Sequence, residues 1–162
     1  MPDLDHETLE RLRRGLPLRL DRSGQFHLGD DPITHPRIHA AFLAGLDQAD
    51  TGEPTLHLGE QWCYLTVDDC PLRATGVLGE PPGLQLRLDD GRTLALDPST
   101  VWEDDQGLRA SAPAQRSGRP LAVRFNNTAT MDLSTWLAEP LDDPPLLVLG
   151  EQRFAIRRHP PA

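Results

Sequence analysis

Residues 56–67 read Leu-His-Leu-Gly-Glu-Gln-Trp-Cys-Tyr-Leu-Thr-Val, and residues 147–158 read Leu-Val-Leu-Gly-Glu-Gln-Arg-Phe-Ala-Ile-Arg-Arg. In both, apolar residues alternate, a Gly-Glu pair follows, and alternation resumes. Period-two patterning on either side of a glycine-led pair is the signature of a β-hairpin. Finding it twice predicts a fold built from a repeated unit. A type II′ turn at Gly59-Glu60 places Leu56 opposite Cys63, and His57 opposite Trp62. It also places Thr55 opposite Tyr64 and Leu58 opposite Gln61.

Working outward, the first hairpin pairs Leu20 with Phe26 around Arg22-Ser23-Gly24. A third pairs Leu86 with Leu94 around Asp89-Asp90-Gly91. Residues 5–14 form a short helix with Asp5 as cap, Arg13 and Arg14 in the last turn, and Gly15 at its end. Ile38, Phe42, Leu43 and Leu46 share one face of a helix over 36–47, with Pro36 at its first position. A third helix over 132–139 is capped by Asp132 and carries Leu133, Trp136 and Leu137. Residues 101–110 read as strand, turn, strand; 111–119 as a polar loop; 121–125 as a strand.

At least six strand patterns against a few helices predict an α+β fold of two repeated β-rich motifs, each an antiparallel sheet packed with one helix. The expected division is an N-terminal helix at 1–15, a first motif at 16–79, a second at 80–159 and a frayed tail at 160–162. Gly79-Glu80-Pro81-Pro82-Gly83 is the boundary. Overlaid, the copies bring Phe42 onto Leu133, Leu46 onto Leu137, Cys63 onto Phe154 and Leu65 onto Ile156.

Composition bounds the partners. The net charge is −9, with 25 acidic residues against 16 basic, so no basic field exists for nucleic acid or an anionic membrane. No apolar run approaches the ~18 residues of a membrane span. The acidic start Met-Pro-Asp-Leu-Asp-His-Glu has no apolar signal region, and two cysteines make no disulfide framework; a cytoplasmic location is the default. Every basic residue is Arg, which reads as the coding bias of a GC-rich bacterium.

A resemblance emerges from Leu20-Asp21-Arg22-Ser23-Gly24-Gln25-Phe26-His27-Leu28-Gly29-Asp30-Asp31-Pro32-Ile33, a helix with Phe42-Leu43, and Leu65-Thr66-Val67-Asp68-Asp69-Cys70-Pro71. These segments, with Val123-Arg124, the helix near Trp136 and the final hairpin, resemble the bacterial domain-of-unknown-function 1285 family over roughly residues 18–158. The resemblance implies an α+β fold of two repeated motifs, a bacterial origin and no established activity; signal transduction has been suggested for that family. The chain departs from the pattern at three places. Helix 5–14 replaces an N-terminal extension. Gln61-Trp62 stands where a Glu-Lys pair is expected, and His35 where a basic residue is common.

No P-loop, nucleophile elbow, metalloprotease helix or calcium loop occurs, and no cofactor is expected. The Asp-Asp pairs at 68–69, 89–90, 104–105 and 142–143 read as turn residues. Cys63 reads as a small buried hydrophobe rather than a nucleophile based on His57. His57, Trp62 and Tyr64 share the face opposite the core stripe. Together with His27 they form the candidate binding surface, unless helix 5–14 or the other half covers it. The expected function is a non-enzymatic binding or interaction module in bacterial signalling, with no predicted catalytic residue. The alternative is a metal-dependent enzyme using His35 and His39, which at i and i+4 project to one side of a helix. Partner and oligomeric state are not legible.

Overall fold

The computed structural model describes residues 5–161. The chain divides into two compact units. The first comprises residues up to Pro71 together with Pro113–Leu121; the second comprises Leu72–Ala112 and the chain from Ala122.

The first unit runs α1 (His6–Gly15), β1 (Leu18–Leu20), β2 (Phe26–Leu28), β3 (Asp31–Pro32), α2 (Pro36–Ala44), β4 (Leu46–Gln48), β5 (Pro54–Leu58), β6 (Gln61–Tyr64) and β7 (Thr66–Val67). Its sheets have the orders β3-β2-β1-β7 and β4-β5-β6. The second runs β8 (Leu72–Leu78), β9 (Gln85–Leu88), β10 (Thr93–Ala95), β11 (Trp102–Asp104), β12 (Gly107–Pro113), β13 (Pro120–Phe125), α3 (Asn127–Ser134), β14 (Leu146–Leu149) and β15 (Gln152–Ala155). Its sheets are β10-β9-β8-β13-β12-β11 and β14-β15. The fold is α+β.

Both repeated hairpins have the expected register. Leu56 pairs with Cys63 and His57 with Trp62, while Leu147 pairs with Phe154 and Val148 with Arg153. Gly59 (φ 61°) and Gly150 (φ 65°) take the left-handed first turn position, and the glutamates after them do not. That combination is the type II′ turn. Leu20–Phe26 and Leu86–Leu94 also pair as read.

Five expectations are corrected. The stretch 79–83 is not a boundary but the connection between β8 and β9, which are hydrogen-bonded neighbours; the division falls at Pro71, and 113–121 returns to the first unit. The sheets are not wholly antiparallel: β7 runs parallel to β1 and β13 parallel to β8. Parallel neighbours need long crossovers, and the intervening elements supply them. Helix α2 ends at Ala44 rather than 47, because residues 46–48 pair with β5 through Leu46–Leu56. Helix α3 starts at 127 rather than 132: Asn126 directly after β13 accepts from the Ala129 N–H at 2.9 Å and caps it. Asp132 instead accepts from the Val77 N–H at 2.9 Å, tying α3 to β8. The expected loop at 111–119 is shorter, since β12 runs to Pro113. Of the termini, residues 1–4 and 162 lie outside the described residues.

With the corrected helices the duplication sharpens. Adding 91 to the residue numbers carries α2 onto α3, the Leu46–Leu56 pair onto the Leu137–Leu147 bridge, and the β5–β6 hairpin onto β14–β15. It also carries Thr66, parallel to Arg19 in β1, onto Arg157, parallel to Trp102 in β11. Each copy buries its own leucines. Leu20, Phe26, Leu43, Leu46 and Leu56 are at most 4% exposed in the first unit, as are Leu72, Val123, Leu133 and Leu147 in the second. Each such side chain contributes roughly 1.5–3 kcal/mol by leaving water.

Candidate functional site

The first unit carries an incompletely covered apolar surface. Helix α1 is capped by Asp5, whose carboxylate accepts from the Thr8 N–H at 2.8 Å. Leu9, Leu12 and Leu16 fall along one side of it at i, i+3 and i+7. None of its residues is buried, and Leu12 is 60% exposed. What holds α1 is polar. The Arg13 guanidinium lies 4.0 Å from the Trp62 ring centroid and that of Arg14 3.9 Å from the Tyr64 ring. Arg14 also makes two hydrogen bonds to Glu53, at 2.8 and 3.2 Å, and the Tyr64 hydroxyl donates to Glu10 at 3.4 Å. These partly exposed contacts are each of order 1 kcal/mol or less.

The α1 leucines face an open cleft of about 570 Å³. Its other walls are Leu18 and Leu28 from the first sheet, Ile33 and Phe42, and Leu56, Leu58, Trp62 and Cys63 from the β5–β6 hairpin. The polar contribution comes from Arg13 and Gln61. Leu16, Leu28 and Leu58 are 43–46% exposed around it. A concave apolar surface with few polar groups is the common form of a small-molecule site. Cys63 lines this cleft, half-buried, instead of sitting in the core as its register suggested. Burial pushes its thiol pKa up, so it is a contact residue and not an activated nucleophile.

The candidate stripe is therefore covered in part, by arginines. His57 and Trp62 stack with centroids 5.8 Å apart and an interplanar angle of 17°; Trp62 meets Tyr64 edge-on at 5.2 Å. His27 does not join them: it lies in the other sheet, its Nε2 2.7 Å from Asp21 in the first hairpin turn. Burial raises the Asp21 pKa. Its hydrogen bonds to His27, Ser23 and Gln25 outweigh that and hold the carboxyl well below the usual range.

His35 and His39 are both engaged with backbone. His35 caps α2, its Nδ1 accepting from the Arg37 N–H at 3.2 Å; His39 Nε2 donates to the Gly24 carbonyl at 2.9 Å and its ring packs edge-on to Phe26. Among the described residues no three His, Cys, Asp or Glu side chains are grouped to hold a metal ion. Nor do the described residues form a hydrolase triad around His57. Its Nε2 meets Thr55 Oγ1, 3.1 Å away, and Thr55 is only 1% exposed, while Ser117 donates to Asp47.

No family model matches the sequence. No curated protein matches it either. Solved structures do. The chain superposes on a DUF1285 family protein from Silicibacter pomeroyi DSS-3 with a TM-score of 0.60 at 17% identity, over 87% of this chain and 79% of that one. It superposes on a DUF1285 family protein from Shewanella baltica OS155 with a TM-score of 0.54 at 17% identity, over 69% and 85%. The chain has the DUF1285 fold. Within that fold, two of the three departures noted in the sequence converge on one place; the third, His35, caps α2 and does not line it. Helix α1, which stands where the resemblance expects an extension, and Gln61-Trp62, where it expects Glu-Lys, all line the apolar cleft.

Proposed function

We propose that the protein is a non-enzymatic binding module whose cleft under α1 takes a small amphiphile: an apolar chain with one anionic end. The carrying observation is the open cleft of about 570 Å³ ringed by exposed leucines, beside which Arg13 is the cationic wall residue. The chain would lie along Leu12, Leu28 and Leu58, each methylene leaving water contributing about 0.8 kcal/mol. The anionic end would meet Arg13, whose own carboxylate partner Glu10 is a loose 3.8 Å away. Bound ligand would bury the α1 leucines and tighten the helix on the body. That makes occupancy readable by a partner, which fits the signalling role suggested for the family. No described helix is long and apolar enough to cross a membrane. The acidic composition fits a cytoplasmic setting in a bacterium.

The test is isothermal titration calorimetry with linear carboxylates from hexanoate to palmitate, and with dodecanol as the uncharged control. Affinity is expected to rise with chain length and to fall for the alcohol. Leu58→Asp, at an exposed position, should abolish it with thermal stability retained. Absence of heat for every carboxylate sinks the reading.

A further inference from the structure

A second, polar cavity of about 300 Å³ lies in the same unit and shares Trp62 as a wall with the apolar cleft. Its chemistry is different. Asp47, in β4, lines it and is only 2% exposed. A carboxylate so deeply buried requires donors or counter-charge. One oxygen has them: Asp47 Oδ1 accepts from Ser117 Oγ at 2.6 Å and from the Gln48 N–H at 2.8 Å. The other does not. Oδ2 accepts no hydrogen bond among the described residues, and its nearest cation, Arg116 Nη1, stands 3.7 Å away.

Arg116 makes that long ion pair and no hydrogen bond among the described residues. Its side chain is 56% exposed, whereas neighbouring Arg119 is fixed by Asp50 at 2.5 Å and the Gln48 carbonyl at 2.8 Å. Across the cavity stand the Thr55–His57 pair and the Trp62 ring. The wall thus offers one carboxylate oxygen with acceptor capacity to spare and one exposed guanidinium. An anion alone would be repelled by Asp47, and a cation alone would compete with Arg116. A ligand carrying both charges a few ångströms apart satisfies both groups.

We propose that this cavity binds a small zwitterion of the free α-amino-acid type, its ammonium on Asp47 Oδ2 and its carboxylate on Arg116. The ammonium replaces Arg116 as the counter-ion of Asp47, and the released guanidinium takes the carboxylate in the forked geometry that favours it. Trp62 and His57 then border the ligand side chain. The cavity is at the small end for ligand sites, which suits a single amino acid. This site is independent of the amphiphile reading, because it uses neither Arg13 nor the leucine walls.

The experiment is calorimetric titration of the full chain with L-leucine, L-glutamine and L-arginine, then with the N-acetyl and amide derivatives of each. At least one free amino acid should bind with one-to-one stoichiometry, and both of its derivatives should lose at least about tenfold in affinity. Arg116→Ala should weaken binding by a similar factor with an unchanged melting temperature and an unchanged decanoate titration. Asp47→Asn should remove binding; if that variant does not fold, Arg116→Ala and the derivatives carry the test. No binding of any of the three free amino acids at millimolar concentration overturns the proposal. So does binding that survives N-acetylation or Arg116→Ala.

Discussion

The His57 N–H donates to the Gly45 carbonyl at 2.8 Å, and the His57 carbonyl oxygen occupies the space that a Cβ on residue 45 would need. This back-to-back contact joins the end of α2 to β5 and fixes the strand that carries Thr55, Leu56, His57 and Leu58. Only a residue without a side chain fits there. Gly45→Ala is expected to cost at least about 1–3 kcal/mol, the range for forcing atoms into a packed site. Urea denaturation measures it, and a stability within 0.5 kcal/mol of the parent, the usual span of a neutral surface change, would contradict the contact.

Trp62 is held by Arg13, His57 and Tyr64 rather than by deep burial. Trp62→Ala removes one cation–π contact and two ring pairs. It should therefore cost about 1–3 kcal/mol, between a solvated surface ring and a core aromatic. Arg13→Ala should cost less than about 1 kcal/mol while weakening carboxylate binding in the cleft. Chemical denaturation paired with calorimetry separates the two effects.

The His57 imidazole has its pKa lowered, first by burial and then by the Arg116 charge, with Asp47 opposing. The unfolded chain takes up this proton near about pH 6.5, and the folded chain only at lower pH. The stability due to this group is thus fully present above about pH 6.5 and is lost as pH falls through the folded value. His57→Gln should flatten the stability profile between about pH 7.5 and 5.5. An unchanged slope in urea titrations across that range would contradict the assignment.

In the second unit, Arg124 makes two 2.8 Å hydrogen bonds to Asp104, which is held well below the usual carboxylate range mainly by that guanidinium. Asp104→Asn should cost about 1.5–3 kcal/mol at neutral pH. Because the folded pKa is depressed, the parent keeps this contribution above about pH 4 and loses it as pH falls further. The variant should show less acid destabilisation than the parent. An equal loss of stability in both at low pH would refute the pairing.

Hairpins and turns were legible in the sequence because their determinants are local. Leu-Gly-Glu-Gln sets its own register, and Asp21-Arg22-Ser23-Gly24 closes within five residues. Helix ends were less so. The end of α2 depends on β5 arriving against Gly45, and the start of α3 depends on Asn126 acting as a cap rather than a turn. The boundary misread at 79–83 has the same origin: glycine and proline mark a break in the chain, but the pairing of β8 with β9 across it is non-local. His57, Trp62 and Tyr64 were found by alternation. The cleft was not, since it is made by Leu12, Leu28 and Leu58 from three separated segments. A lone signal was available: Leu9, Leu12 and Leu16 give α1 an apolar side that no short helix would spend on solvent. Asp47 and Ser117 lie seventy positions apart, and nothing local announces their meeting.

The offset of 91 residues has a further meaning. The second copy holds Val148, Arg153 and Ala155 where the first holds His57, Trp62 and Tyr64. The leucines that close each hairpin are kept in both, yet the rings are present in one. A gene that doubles its own module gains a spare: one copy is free to remain scaffold while the other diversifies its surface. Grafting His, Trp and Tyr onto the β14–β15 hairpin would show whether the binding proposed for the first copy travels with three residues.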